Sequence, residues 1–238
     1  HFLQDLKLFF SKFSANLLKG LIFIHHSMKI AIVINTSWNI YNFRIGLLKA
    51  LQDAGHQVIA IAPKDDYSIQ LEKEGFVYFP ITMENKGANP IKDFFLIQEF
   101  KAIYKQIQPD IILHYTIKPN IYGTLAAKSL KIPVINNVSG LGTIFLHNNL
   151  VSKIAKVLYK YAFTYPIKVF FQNNDDLTLF VENQLVKVEK TGLLPGSGIN
   201  LDKFIQQSYP SKKEFTFLLV ARLLYDKGIR EYIEAIRI

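Results

Sequence analysis

The chain has 238 residues, half of them hydrophobic and a fifth charged, enough for one large globular domain or two small ones. Its formal charge of +9, from 28 Lys plus Arg against 19 Asp plus Glu, favours nucleotides, anionic lipid surfaces or nucleic acid without choosing between them, because no long basic block occurs. Cysteine is absent, which excludes disulfides, thiolate nucleophiles and Cys-ligated zinc and fits a reducing compartment, and none of the six histidines stands at zinc-ligand spacing.

Residues 1–27 begin with His and carry Leu3, Leu6, Phe9, Phe10, Phe13, Leu17 and Leu18 between lysines. Upstream translation, an interfacial amphipathic helix and a degenerate signal sequence remain open for this extension. The folded pattern starts at Met28. Ile30–Ile34 is a continuous β-branched run, as expected of a strand buried on both faces. A polar loop follows, then a helix over 42–54 ending at Gly55, a strand over Val58–Ala62, a short helix over Tyr67–Glu74 and a third strand over Phe76–Pro80. Pro90 opens a longer helix that Pro109 ends before a fourth strand, Asp110–His114. Helix 119–130, strand 133–136, helix 149–163, strand 167–171, helix 174–183 and strand 185–189 complete the series. Strict β/α alternation predicts an α/β fold: a Rossmann-like parallel sheet with helices on both faces, spanning roughly 28–200. Residues 191–213 read as a linker, and Phe215–Val220 as the first strand of a second domain of the same kind, left incomplete at 238.

In such a sheet ligands bind beyond the carboxyl ends of the strands. The polar residues there are Asn35, Thr36, Asn42 and Arg44 after the first strand, and His114, Lys118 and Asn120 after the fourth. Ser139, Gly140 and Gly142 follow the fifth, and Asp175 and Asp176 follow the sixth. Amides and hydroxyls suit sugar hydroxyls and phosphates without needing ionisation. Gly-x-Gly-x-x-Gly, P-loop and Gly-x-Ser-x-Gly motifs are missing, so dinucleotide, P-loop ATPase and hydrolase-elbow readings fail. Asp175 and Asp176 are adjacent and diverge on a helix, which favours N-terminal capping over paired acid/base work. Near the end, Arg222 and Lys227-Gly228 bracket a turn between an apolar run and a helical pattern, a place where two cations and helix N–H groups can meet one anion.

Six ordered blocks, MKIAIVINTSWNIYNFR at 28–44, LHYTIKPNIYG at 113–123, INNVSGLGT at 135–143, FFQNNDD at 170–176, LLPGSGINLDKF at 193–204 and ARLLYDKG at 221–228, resemble family 4 glycosyltransferases. The likeness is to the bacterial branch that builds capsule, O-antigen and other lipid-linked saccharides by galactosyl or N-acetylgalactosaminyl transfer. It implies a GT-B fold, two Rossmann-like domains with the acceptor side first and the donor side second. It also implies retaining transfer of a hexose or N-acetylhexosamine from a UDP-linked sugar, with no divalent metal and no other cofactor. Arg222, Lys227 and Gly228 match the segment that holds the donor diphosphate. His114 matches an active-site histidine, with a His packed in a loop as the structural alternative. Lys118 is a candidate for the acceptor diphosphate, and Asn35, Thr36, Asn42, Arg44, Asn120, Ser139, Gly140 and Gly142 for the acceptor side of the cleft. The glycine pair usual at the first turn is missing, which counts against a nucleotide phosphate there.

The implied partners are a nucleotide sugar and a lipid-linked saccharide, with no nucleic acid, in the cytoplasm at the inner face of the bacterial membrane. Lys153, Lys156 and Lys160 on helix 149–163 form a basic stripe that would meet an anionic leaflet, or equally a solvated face. A Glu-x7-Glu donor segment has no counterpart before Ile238, so little activity is expected of these residues alone. An inactive acceptor- or membrane-binding module is the alternative.

Overall fold

A computed structural model describes residues 27–84, 89–140, 150–194, 196–201, 203–208 and 215–237. The expectations for residues 1–26 and for Gly142 fall outside these residues. The chain divides into two compact units after Asn200.

The first unit is a seven-stranded sheet whose strands are β1 Lys29–Val33, β2 Gln57–Ala62, β3 Val77–Pro80, β4 Ile111–Tyr115, β5 Val134–Val138, β6 Lys168–Phe171 and β7 Thr191–Leu193. Every neighbouring pair is parallel, in the order β3-β2-β1-β4-β5-β6-β7. The order reverses between β1 and β4, so the crevice for a ligand opens beyond Val33 and Tyr115. Ala31, Ile32 and Val33 are each fully buried, because helices cover both faces of the central strand.

Three helices, α1 Ser37–Phe43, α2 Ile45–Asp53 and α3 Ser68–Lys73, lie on one face. Ile40, Leu47, Leu48, Leu51 and Leu71 pack there against Ile30, Ile32, Ala60 and Leu113. The opposite face carries α4 Pro90–Ile107 and α5 Thr124–Leu130, with Leu96, Phe100, Ile103 and Tyr104 against Val33, Ile59 and Ile112. Further along that face, α6 Leu150–Ala162 and α7 Asn174–Glu182 build an aromatic cluster around Phe180. The rings of Tyr159, Phe163 and Phe171 stand 5.1, 5.8 and 5.2 Å from it. The parallel Rossmann-like architecture is therefore as the alternating pattern predicts.

Four local expectations are corrected. The polar stretch after β1 is not a loop but holds helix α1, joined almost directly to α2 at Arg44. Helix 119–130 opens as a π-helical turn, Pro119–Gly123, before α5 begins. The last strand is β7 at 191–193, and Val188–Lys190 is a 3-10 turn, because β7 takes its register from β6 (Val169 beside Thr191). In the second unit Phe215–Val220 forms no strand: Phe215, Phe217 and Val220 are at least four-fifths exposed, and no partner strand among the described residues offers its hydrogen bonds there. The helical part of that forecast is present as α8 Ile229–Ile236.

Candidate functional site

The first turn is closed from within. Thr36 caps α1 by accepting the Asn39 N–H at 3.0 Å, and the Trp38 N–H goes to the Asp65 carboxylate at 3.0 Å. An acidic side chain thus occupies the helix start where a dinucleotide-binding fold places phosphate. The Ser37 hydroxyl meets Ser68 and the Pro63 carbonyl, tying α1 to the end of β2. Asn35 is half-buried beside the crevice, and Asn42 is held by its side-chain amide donating to the Trp38 carbonyl.

Arg44 is buried, at 7% exposure, where α1 meets α2. Its guanidinium lies 4.7 Å from the centre of the Tyr115 ring, at the carboxyl end of β4. Nη1 donates to the Phe43 carbonyl and to Ser197 Oγ. Ser197 lies in the segment that follows β7. Leu194 there shares a cavity of about 10 Å³ with Tyr115, Asn137 and Phe170, roughly the room of one water. Burial lowers the Arg44 pKa below its ordinary value, and Tyr115 opposes that shift.

His114 points to the opposite face and is fully buried. Tyr104 OH lies 2.8 Å from Nε2, and Asn136 Oδ1 lies 3.2 Å from Nδ1, directly across the β4–β5 register. The arrangement fits a neutral ring that donates from Nδ1 to Asn136 and accepts the Tyr104 hydroxyl at Nε2. Thr124 completes the network, accepting from Asn136 Nδ2 at 2.9 Å. Burial drives the His114 pKa from 6.5 down to about 3, with Asn136 opposing the shift. Enclosed in this way, the ring ties β4 to β5, and the expected active-site role of His114 stays a proposal.

Lys118, expected to meet the acceptor diphosphate, has a partner within the fold. Its ammonium pairs with Asp93 at 2.9 Å, and the Tyr122 hydroxyl donates to the other Asp93 oxygen at 2.8 Å. Its charge is already answered within the fold, and a diphosphate would have to compete with a nearly buried carboxylate. Asn120 is buried in the π-helical turn, donating to the Asn137 carbonyl at 2.9 Å while its Oδ1 has no partner among the described residues. Ser139 donates to Asn137 Oδ1, and Gly140 has φ of 133°, so this turn follows β5 in a conformation that favours glycine. Thr116, just after β4, has φ of 64°, an outlier for a β-branched residue. Asn173, not Asp175 or Asp176, caps α7; the two aspartates lie in its first turn, where Asp176 accepts from Asn173 Nδ2 at 3.0 Å.

In the second unit Arg222 and Lys227 are both exposed around the 3-10 turn Tyr225–Lys227. Gly228, at φ 69°, turns the chain into α8. The sequence pattern therefore corresponds to a cationic turn at a helix start.

Residues 29–173 match the family described as Glycosyl transferase 4-like, more than half of the chain. The chain belongs to that family. Across 228 residues it is 30% identical to N,N'-diacetylbacillosaminyl-diphospho-undecaprenol alpha-1,3-N-acetylgalactosaminyltransferase of Campylobacter jejuni. That alignment covers 87% of this glycosyl transferase 4-like chain and 60% of the relative, so the chain spans well under the relative's full length. Among solved structures, a glycosyltransferase from Rickettsia africae superposes with a TM-score of 0.53 at 19% identity, covering 76% of this chain and 45% of the other. HepE of Anabaena, in complex with UDP-glucose, superposes with 0.53 at 13% identity, covering 74% and 45%. These two likenesses establish the fold, that of a GT-B glycosyltransferase's Rossmann-like unit.

Tyr104, Thr124, Asp65, Asp93 and Ser197 were not singled out from the sequence. A signal was present for Asn136, since a polar residue inside an apolar strand must find a partner across the sheet.

Proposed function

We propose that this chain carries the acceptor side, and the start of the donor side, of a retaining glycosyltransferase in cell-surface polysaccharide synthesis. It transfers a hexose or N-acetylhexosamine from a UDP-linked sugar to a lipid-linked saccharide. One observation carries the reading: the relative matched at 30% identity is named for N-acetylgalactosaminyl transfer to a diphospho-undecaprenol-linked sugar. The UDP-glucose held by a structural neighbour supports the donor class.

In this reading the bond from the sugar C1 to the diphosphate oxygen breaks while an acceptor hydroxyl oxygen bonds to C1 on the same face. The hydroxyl proton passes to the departing diphosphate. Arg222 and Lys227, with the N–H groups at the start of α8, meet the charge that builds on the leaving group, in place of a divalent metal. Asn35, Asn42, Ser139 and Gly140 line the acceptor side at the carboxyl edge, where amides and hydroxyls can hold a saccharide.

Contact with an anionic leaflet belongs to the same proposal. Ile154, Val157 and Tyr161, half or more exposed, form a stripe on α6 at i, i+3 and i+7, flanked by Lys153, Lys156 and Lys160. Apolar residues between lysines suit an interfacial helix at the inner face of a bacterial membrane. Among the described residues no helix is long and apolar enough to cross a bilayer.

The test is transfer by the full-length protein from UDP-galactose or UDP-N-acetylgalactosamine to a short polyprenyl-diphospho-saccharide, with proton NMR of the new anomeric centre. A product with the donor's anomeric configuration supports the reading. No transfer from either donor, with vesicle binding intact, would favour a non-catalytic binding module. Val157→Asp should abolish sedimentation with phosphatidylglycerol vesicles; undiminished sedimentation would refute the α6 contact.

A further inference from the structure

Arg44 is the only arginine before residue 222, in a chain that otherwise uses lysine for positive charge throughout that stretch. It is also buried. A buried cation normally has a carboxylate beside it, because stripping its water costs several kcal/mol. Among the described residues Arg44 has no ion-pair partner, whereas the nearly buried Lys118 does. One of its nitrogens, Nε, has no hydrogen-bond partner at all among those residues. Nη1 is engaged only by neutral oxygens, the Phe43 carbonyl and Ser197 Oγ. Below it, the face of the Tyr115 ring supports the guanidinium without neutralising it.

The position of this cation gives it meaning. Tyr115 ends β4, on one side of the strand-order reversal where open α/β sheets bind their ligands. The helix start at that reversal is closed by Asp65, so backbone N–H groups of α1 do not offer themselves to an anion. The cover over Arg44 is thin: Ser197 is exposed and lies between Gly196 and Gly198, at φ 80° and 71°. Such a turn can shift at little steric cost, because glycine visits both signs of φ about equally.

We infer that Arg44 forms an oxyanion subsite for a phosphate or diphosphate group beneath the Gly196–Ser197–Gly198 turn, with the free Nε edge of the guanidinium taking two oxygens side-on. A planar guanidinium fits that bidentate geometry and lysine does not. The missing counter-charge and the unused donor are then one fact. The identity of the anion rests on the transferase reading, which offers two sources: the donor's nucleoside diphosphate and the acceptor's polyprenyl diphosphate.

The experiment titrates inorganic pyrophosphate into the 15N-labelled protein and follows the Arg44 Nε–H resonance, assigned by its loss in Arg44→Lys, together with the amides of Gly196, Ser197 and Gly198. The expected result is a saturable shift of all four signals. Arg44→Met should weaken the amide titration tenfold or more, and Arg44→Lys should fall between. A wild-type Nε–H that does not respond overturns the proposal, as does an unchanged half-saturation in Arg44→Met. Should Arg44→Met fail to fold, the wild-type Nε–H decides alone. Parallel titrations with UDP and with farnesyl diphosphate assign the source by whichever binds more tightly, and equal affinity marks a subsite for the diphosphate itself. No sugar transfer enters these readouts, so an Arg44 response without transferase activity would sink the enzymatic reading and leave the subsite standing.

Discussion

The enclosed histidine gives the sharpest stability prediction. His114 is neutral in the folded protein, with its pKa near 3, and returns to about 6.5 when the chain unfolds. Above pH 6.5 neither state takes up the proton, and the full benefit of burying a neutral ring is present. Below 6.5 the unfolded chain binds a proton that the folded protein refuses, so stability falls as pH falls, until the folded pKa is reached. The gap corresponds to ~5 kcal/mol over the whole window, and to ~1.4 kcal/mol for each pH unit well inside it. Protonation at Nε2 would turn a proton against the Tyr104 hydroxyl that now donates there, inside a fully buried network.

Carboxylates also titrate on the way down, so wild type must be compared with a variant that cannot take up the proton. Urea unfolding of wild type and His114→Gln at pH 7, 6.5, 5.5 and 4.5 supplies the comparison. Wild type should be the more stable at pH 7, because its ring satisfies Tyr104 and Asn136 together. Its advantage should then shrink by roughly 2 to 3 kcal/mol between pH 6.5 and 4.5. A stability difference that stays constant over that range would refute the reasoning, as would an NMR titration of His114 centred near 6.5.

Three further outcomes follow from the same geometry. Gly123→Ala should destabilise by about 1–3 kcal/mol in chemical denaturation, although alanine is the better helix former, because the new Cβ would stand 2.7 Å from His114 Nε2 and 3.1 Å from the Tyr104 hydroxyl. Lys118→Met should cost ~3–5 kcal/mol by stranding Asp93, and Asp93→Asn added to it should recover part of that loss; a cost below ~1 kcal/mol would show the ion pair to be idle. Thr36→Ala should lower stability by about 1 kcal/mol through loss of the α1 cap, with unfolding by circular dichroism as the measure.

What could be read from the sequence was whatever depends on burial alone. A strand covered on both faces must be apolar at every position, and Ile30–Ile34 shows that without reference to anything else. Helix α1 was illegible because its start is secured by Asp65, 27 residues from Trp38, and its own polar residues read as a loop. Likewise the hydrogen bonds of His114 and the ion pair of Lys118 depend on Tyr104, Asn136 and Asp93, which come together only when β5 and α4 pack against β4. A polar residue at a strand's carboxyl end has two ways to be satisfied, by ligand or by neighbour, and sequence position alone does not choose. Phe215–Val220 shows the converse: strand propensity was present, but a strand needs a partner's hydrogen bonds.

These same distinctions sort the cations of the candidate site. Lys118 is matched by a carboxylate. Helix α1, closed by Asp65 and Thr36, withdraws the backbone donors with which many Rossmann-like folds hold phosphate. The phosphate chemistry of the proposed transferase then falls to side-chain cations, to Arg44 in the first unit and to Arg222 and Lys227 in the second. Guanidinium pairs with phosphate in a fixed plane, while ammonium acts as a point charge. A unit that places its one early arginine, uncompensated, at the sheet's ligand-binding edge is built to orient a phosphate as well as to attract it, and orientation is what a transfer between two diphosphate-bearing substrates requires.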